Sequence, residues 1–143
     1  MMARSFSGKK SALRRLSESE FGMYSDDEDI RGWSVLDPTG DDIGHVSDML
    51  IDERNLRVRF IEVTPGRFYG IRKLVFLIPF DAITNITNDS VTINQPRERL
   101  TQAPAHDPLL IDEKMLNKTY KFYGLMPFWS PEYTSPIHVR CYV

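Results

Sequence analysis

The sequence predicts a mainly β domain, a small barrel or sandwich, with a polar N-terminal tail and an irregular C-terminal extension. Three observations predict it. Between Arg31 and Leu100, short runs of β-prone residues are broken by turn residues at intervals of roughly ten. Residues 1–28 hold blocks of opposite charge and few large apolar groups. Six of the nine prolines lie from Pro96 onward, among Phe128, Trp129, Tyr133 and Tyr142.

The size fits one domain with appendages. A chain of 143 residues buries roughly two thirds of its unfolded surface and needs no disulfide or structural metal to hold a core. Its 18 Lys and Arg stand against 20 Asp and Glu, and the net charge of -2 argues against a generally basic nucleic-acid binder. The longest apolar run, Leu74 to Ile78, is far below the ~20 residues needed to cross a bilayer, so no membrane insertion is expected. The basic residues from Arg4 to Arg15 are not followed by the apolar stretch of a secretion signal. With a single Cys141, at a terminus expected to be loose, these features lead us to expect a cytoplasmic protein.

Taken in order, the charge-segregated residues 1–28 are expected to be disordered, because they bury too little to offset their ordering entropy. A first strand, Trp33 to Leu36, stops at Asp37-Pro38-Thr39-Gly40, where Pro presets one turn dihedral and Gly accepts a positive one. The second, Ile43 to Asp52, alternates only in part, and Gly44 marks a bulge or a close backbone approach. Asp52-Glu53-Arg54-Asn55 turns the chain into a third strand, Arg57 to Thr64, whose Phe60-Ile61 pair breaks alternation. Leu74 to Ile78 reads as a strand buried on both faces and ended by Pro79. Asp81 to Thr84 reads as a single turn, and Ser90 to Asn94 as a short closing strand. Arg97 to Pro108 reads as an extended strap. A helix over about 112–123 follows, with Asp112 as its N-cap, Met115, Leu116, Thr119, Tyr120 and Tyr123 on one face, and Gly124 at the C-terminal cap.

The segments Asp29 to Val35, Gly40 to Asp52, Arg57 to Val63 and Leu77-Ile78-Pro79-Phe80, in this order, resemble the PRC-barrel family. The resemblance covers residues 29–100, and its most specific piece is Gly40 to Asp52. It implies a small, highly bent β-barrel, as in the cytoplasmic domain of the photosynthetic reaction-centre H subunit and the C-terminal domain of a ribosome-maturation factor. In neither is this domain an enzyme. The strap Pro104 to Pro108 and the segment Tyr120 to Gly124 are similar to a stand-alone bacterial type, so residues 101–143 are taken as an extension of the barrel. Within residues 1–143 neither a membrane helix like that of the H subunit nor a separate N-terminal β-domain like that of the maturation factor is expected.

The residues offer little for catalysis. No phosphate-loop or dinucleotide signature is present, and no Ser sits in a nucleophile elbow. His45, His106 and His138 lack partners at metal-ligand spacing, so neither metal nor cofactor is expected; His106 is read as a strap residue bonded to backbone. Asp48 and Asp52 would share one strand face roughly 13 Å apart, suited to ion pairs with Arg57 or Arg59 or to turn bonds, not to paired catalysis. Glu62 is an interior-facing carboxylate with no His, Ser or Cys near it in sequence.

Two surfaces are therefore expected to bind, and no small-molecule substrate is. Tyr120, Tyr123, Phe128, Trp129 and Tyr133 supply ring area favoured at protein interfaces, suited to a partner protein or a second copy in an adaptor or scaffold role. Arg67, Phe68, Tyr69, Arg72 and Lys73 place three cations around two rings, the combination that holds phosphates and stacks unpaired bases in an RNA-linked or ribosome-associated role. An accessory role like that of the H subunit is the third reading.

Overall fold

The computed structural model describes residues 13–18, 22–23, 29–66, 75–104, 106–107, 111–134 and 141–142. The strands are β1 (Leu13–Arg15), β2 (Gly22–Met23), β3 (Ser34–Leu36), β4 (Asp42–Asp52), β5 (Arg57–Pro65), β6 (Phe76–Pro79), β7 (Ile83–Ile86) and β8 (Ser90–Ile93), with β9 (Cys141–Tyr142) after the helix α1 (Glu113–Phe122). Single 3-10 turns form at Leu16–Glu18 and Phe80–Ala82, and a longer one at Arg97–Gln102.

The main sheet runs β6-β5-β4-β3-β8-β7, with β1 paired to β4 as a seventh strand. Among the described strands only β3 and β8 pair in parallel. One edge of β4 pairs with β5 along most of its length. Its other edge is shared by two short strands: β3 reaches Asp42 to His45, and β1 reaches Leu50 to Asp52. β2 and β9 form a separate antiparallel pair, Gly22 opposite Tyr142 and Met23 opposite Cys141.

Register breaks curl this sheet. The pairings Val46 to Val63 and Asp48 to Glu62 leave Ser47 extra on β4, while Leu50 to Phe60 and Ile51 to Val58 leave Arg59 extra on β5. Each extra residue bends its strand and tightens the twist. The irregular alternation of both strands is thus the bulge pattern of a curled sheet. Gly44 is the closest approach: a Cβ there would overlap the Thr64 carbonyl oxygen and lie 2.9 Å from Pro65 Cα.

The curl creates two cores. On its inner side Val46, Met49, Ile61, Val63 and Ile78 meet Val35, Ile83, Val91 and Ile93, side chains from strands near opposite ends of the sheet. On the other face Leu50, Phe60 and Leu77 are covered by Leu13, Ile111, Leu116, Tyr120 and Phe128. Both faces of β4 and β5 are therefore dry over their central residues.

Local chemistry sets the remaining elements. Asp37 is buried and accepts bonds from Thr39 N, Thr39 Oγ1 and Asp41 N, closing the turn before β4, and a fourth from Arg97 N ties it to the start of the 3-10 turn Arg97–Gln102. Asp112 accepts from Met115 N at 2.8 Å as the N-cap of α1. At the other end Gly124 has φ +69, and Gly124 N and Leu125 N donate to Lys121 O and Tyr120 O. This is a Schellman ending, with Leu125 packed on the core that holds Tyr120.

The structure corrects four expectations. Leu13–Glu18 is not a disordered tail, because β1 completes an edge that β3 leaves open. Ile83–Ile86 is a strand after the turn at Phe80–Ala82, held by pairing with β8 rather than by periodicity of its own. Arg97–Gln102 is helical, not extended: buried Leu100 anchors it after Pro96. Cys141 sits in a strand pair instead of a loose end.

Replacing Gly44 with Ala is expected to lower unfolding stability by about 2–3 kcal/mol, since backbone must move to admit a methyl group. Urea unfolding measures it, and an unchanged midpoint would contradict the close approach.

Candidate functional site

The strongest chemistry inside the described residues gathers on the face of the sheet beneath the C-terminal extension. The bulge at Ser47 lets Glu62 pair with Asp48 in register, and strand alternation puts Glu62 on the face of Phe60. Arg15, at the end of β1, donates Nε and Nη2 to the two Glu62 oxygens at 2.9 and 2.8 Å. His106 Nε2 lies 2.8 Å from Glu62 Oε2. An ionised carboxylate only accepts, so Nε2 carries the proton. His106 Nδ1 is buried without a hydrogen-bond partner among the described residues.

Burial pushes the Glu62 carboxyl up, yet the hydrogen bonds from His106 and Arg15 and their charges outweigh it and hold the group below its ordinary value. The Arg15 guanidinium is pushed up, chiefly by the same hydrogen bond. Among the described residues the cluster is therefore an ionic tie of three buried side chains. His106 binds this carboxylate rather than backbone, which corrects the sequence expectation, and Glu62 has the His neighbour that sequence proximity does not reveal. Asp48 lies beside it, accepting from Ser17 N and Ser17 Oγ.

A second buried pair supports the aromatic residues. Arg59, displaced by its bulge, donates to Asp52 Oδ2 from Nε and Nη2 at 3.3 and 3.1 Å. Asp52 also accepts from Arg54 N and Asn55 N, the turn bonds expected of it. The outer side of the guanidinium lies 4.4 Å from the Phe128 ring centre and 5.5 Å from that of Tyr133. A buried cation against ring faces is held by the ring quadrupoles. Tyr133 also bonds Asp81, whose carboxyl burial pushes up against the opposing pull of Tyr133 and Arg59.

The five aromatic candidates divide accordingly. Tyr120 and Tyr123 are 1% and 2% exposed and Phe128 is 7%, so these three rings are core, not a partner surface. Phe60 and Trp129 pack on Tyr120 at 5.1 and 5.8 Å, and Phe128 on Trp129 at 5.1 Å. Trp129 and Tyr133 are half-buried, and Met126 beside them in sequence is 45% exposed. Sequence reading missed Met126 because a lone methionine carries no periodic signal. Arg67, Phe68, Tyr69, Arg72 and Lys73 lie outside the described residues. Among the described residues no three His, Cys, Asp or Glu side chains are grouped to hold a metal ion, and no helix is long and apolar enough to cross a membrane.

Glu62→Gln is expected to cost about 3–5 kcal/mol at neutral pH, because it removes the buried negative charge to which both Arg15 and His106 bond. Folding lowers the Glu62 pKa, so its contribution is complete above the ordinary value of 4.5 and is lost as pH falls through the folded value. The gap in stability between the two proteins should therefore close in acid. A gap independent of pH would contradict an ionised Glu62.

A search of curated proteins finds no match to this chain. Residues 24–100, just over half of its length, match the family model of the PRC-barrel domain. The curled sheet, its bulged β4 and β5 and this match agree: the chain belongs to the PRC-barrel family.

Proposed function

We propose that this chain is a cytoplasmic, non-catalytic adaptor that binds another protein, or a second copy of itself, through the edge of its aromatic cap. PRC-barrel domains are generally non-catalytic interaction modules, which supports the class of function. The observation that carries the surface is the exposure of Met126, close in sequence to half-buried Trp129 and Tyr133, on a segment whose neighbouring Phe128 is locked into the core. Rings already held by intramolecular packing lose little freedom when a partner covers them. Methionine adapts to an irregular partner surface. Anchors of this kind carry most of the energy of a protein contact, while the surrounding residues exclude water.

The test is purification from the native cell beside sedimentation of the pure protein, for wild type and Met126→Asp. Met126 is outside both cores, so the charge should leave folding intact. The substitution is expected to reduce retained partner, or dimer affinity, at least tenfold with an unchanged unfolding midpoint. A wild-type monomer with no specific partner, or equal retention by Met126→Asp, would remove this reading.

A further inference from the structure

The helix α1 carries a conflict with its own stability. Lys114, Lys118 and Lys121 recur at steps of four and three, so they form one row, opposite the buried Leu116, Thr119 and Tyr120. Like charges at these spacings destabilise a helix. Lys114 also lies in the first turn, where the positive end of the helix dipole opposes a cation. Among the described residues none of the three forms an ion pair or hydrogen bond that would offset this repulsion. Local rules are broken in this way where function requires it.

The row borders a groove of about 730 Å3 between α1 and the turn Arg97–Gln102. Arg99 forms part of the opposite wall, its guanidinium stacked 4.7 Å from the Phe122 ring centre and Nη1 bonded to Gln95. Buried Leu100 fixes this wall to the inner core, so Arg99 is held on a rigid base. Half-buried Met115 and Phe122 contribute apolar lining. The groove thus offers four cations around an apolar strip.

We propose that this groove binds an acidic peptide segment of a partner protein, its carboxylates along Lys114, Lys118, Lys121 and Arg99 and an apolar side chain on Met115 and Phe122. The seven residue steps from Lys114 to Lys121 carry the row over about 10 Å. Carboxylates at alternate positions of an extended strand recur at roughly 7 Å and match that length with two or three residues. A peptide is favoured over a nucleic-acid backbone by the apolar strip of Met115 and Phe122, which takes an apolar side chain that a phosphate backbone does not offer. This site is separate from the Met126 edge and does not depend on it.

Fluorescence anisotropy on the full chain tests the proposal. The probes are a labelled ten-residue peptide alternating Glu with Leu and Phe, the same peptide with Gln for Glu, and a single-stranded RNA of equal length. The expected result is saturable binding of the acidic peptide that weakens with salt, with at least tenfold weaker binding of the Gln peptide. Lys114→Gln, Lys118→Gln and Lys121→Gln together should reduce binding at least tenfold while the unfolding midpoint stays level or rises, because the repulsion is removed. Met126→Asp should bind as wild type. The proposal fails if binding does not saturate, if the triple variant binds equally or unfolds earlier, or if RNA binds more tightly. It also fails if peptide binds only after Asp26, Asp27 and Glu28 are neutralised, which would make the chain's own acidic stretch the occupant.

Discussion

Glu62 is the constraint on which the rest of the architecture depends. A carboxylate on the sheet face that packs against the extension is costly unless every lone pair finds a donor. Its two donors come from opposite directions: Arg15 lies 47 residues before it and His106 44 residues after. Both lie outside residues 24–100, the part matched to the family. One buried acid on the barrel therefore joins the flanking segments to it. An ion pair of this kind contributes little net stability compared with apolar packing, but it penalises any arrangement that leaves one member alone. It specifies where β1 and the strap dock, and the apolar contacts of Leu13, Ile111 and Leu116 supply the burial.

The bulges explain how such a residue comes to be buried at all. In an unbroken two-residue alternation Glu62 would share a face with Val58, which belongs to the inner core. The extra Arg59 shifts the phase, so Phe60 and Glu62 point toward the extension while Val58 remains inside. The same residue then supplies the cation that pairs with Asp52 and supports Phe128 and Tyr133. Curvature, the buried charges and the seat of the aromatic cap thus share one cause, two extra residues in a pair of long strands.

Much of this was legible where the signal is local. Asp37 to Gly40 closes the first turn, Gly44 marks a close approach, and Asp112 and Gly124 bound the helix as their chemistry requires. Pairings distant in sequence were not legible. Three-residue β1 has no period to detect, and Arg15 reads as a tail charge until Glu62 is placed beside it. The aromatic segment looks like surplus surface because it too has no period. Its rings pack as an irregular cap whose order comes from the helix ending at Gly124 and from the Arg59 cation, neither visible in the spacing of the rings.

Burial also changes the meaning of the charge balance. Among the described residues the buried charged side chains are the carboxylates Asp37, Asp48, Asp52 and Glu62 and the guanidiniums of Arg15 and Arg59. Four negative groups stand against two positive in this buried set. Part of this negative charge is compensated by backbone amides and hydroxyls: Asp37 and Asp48 accept bonds from Thr39, Asp41, Arg97, Ser17 and Met49. A net-charge argument therefore excludes a uniformly basic surface but says nothing against a local one. Lys114, Lys118 and Lys121 form such a local patch on a single helix face, and their field extends about one Debye length, roughly 8 Å at physiological salt, before screening removes it.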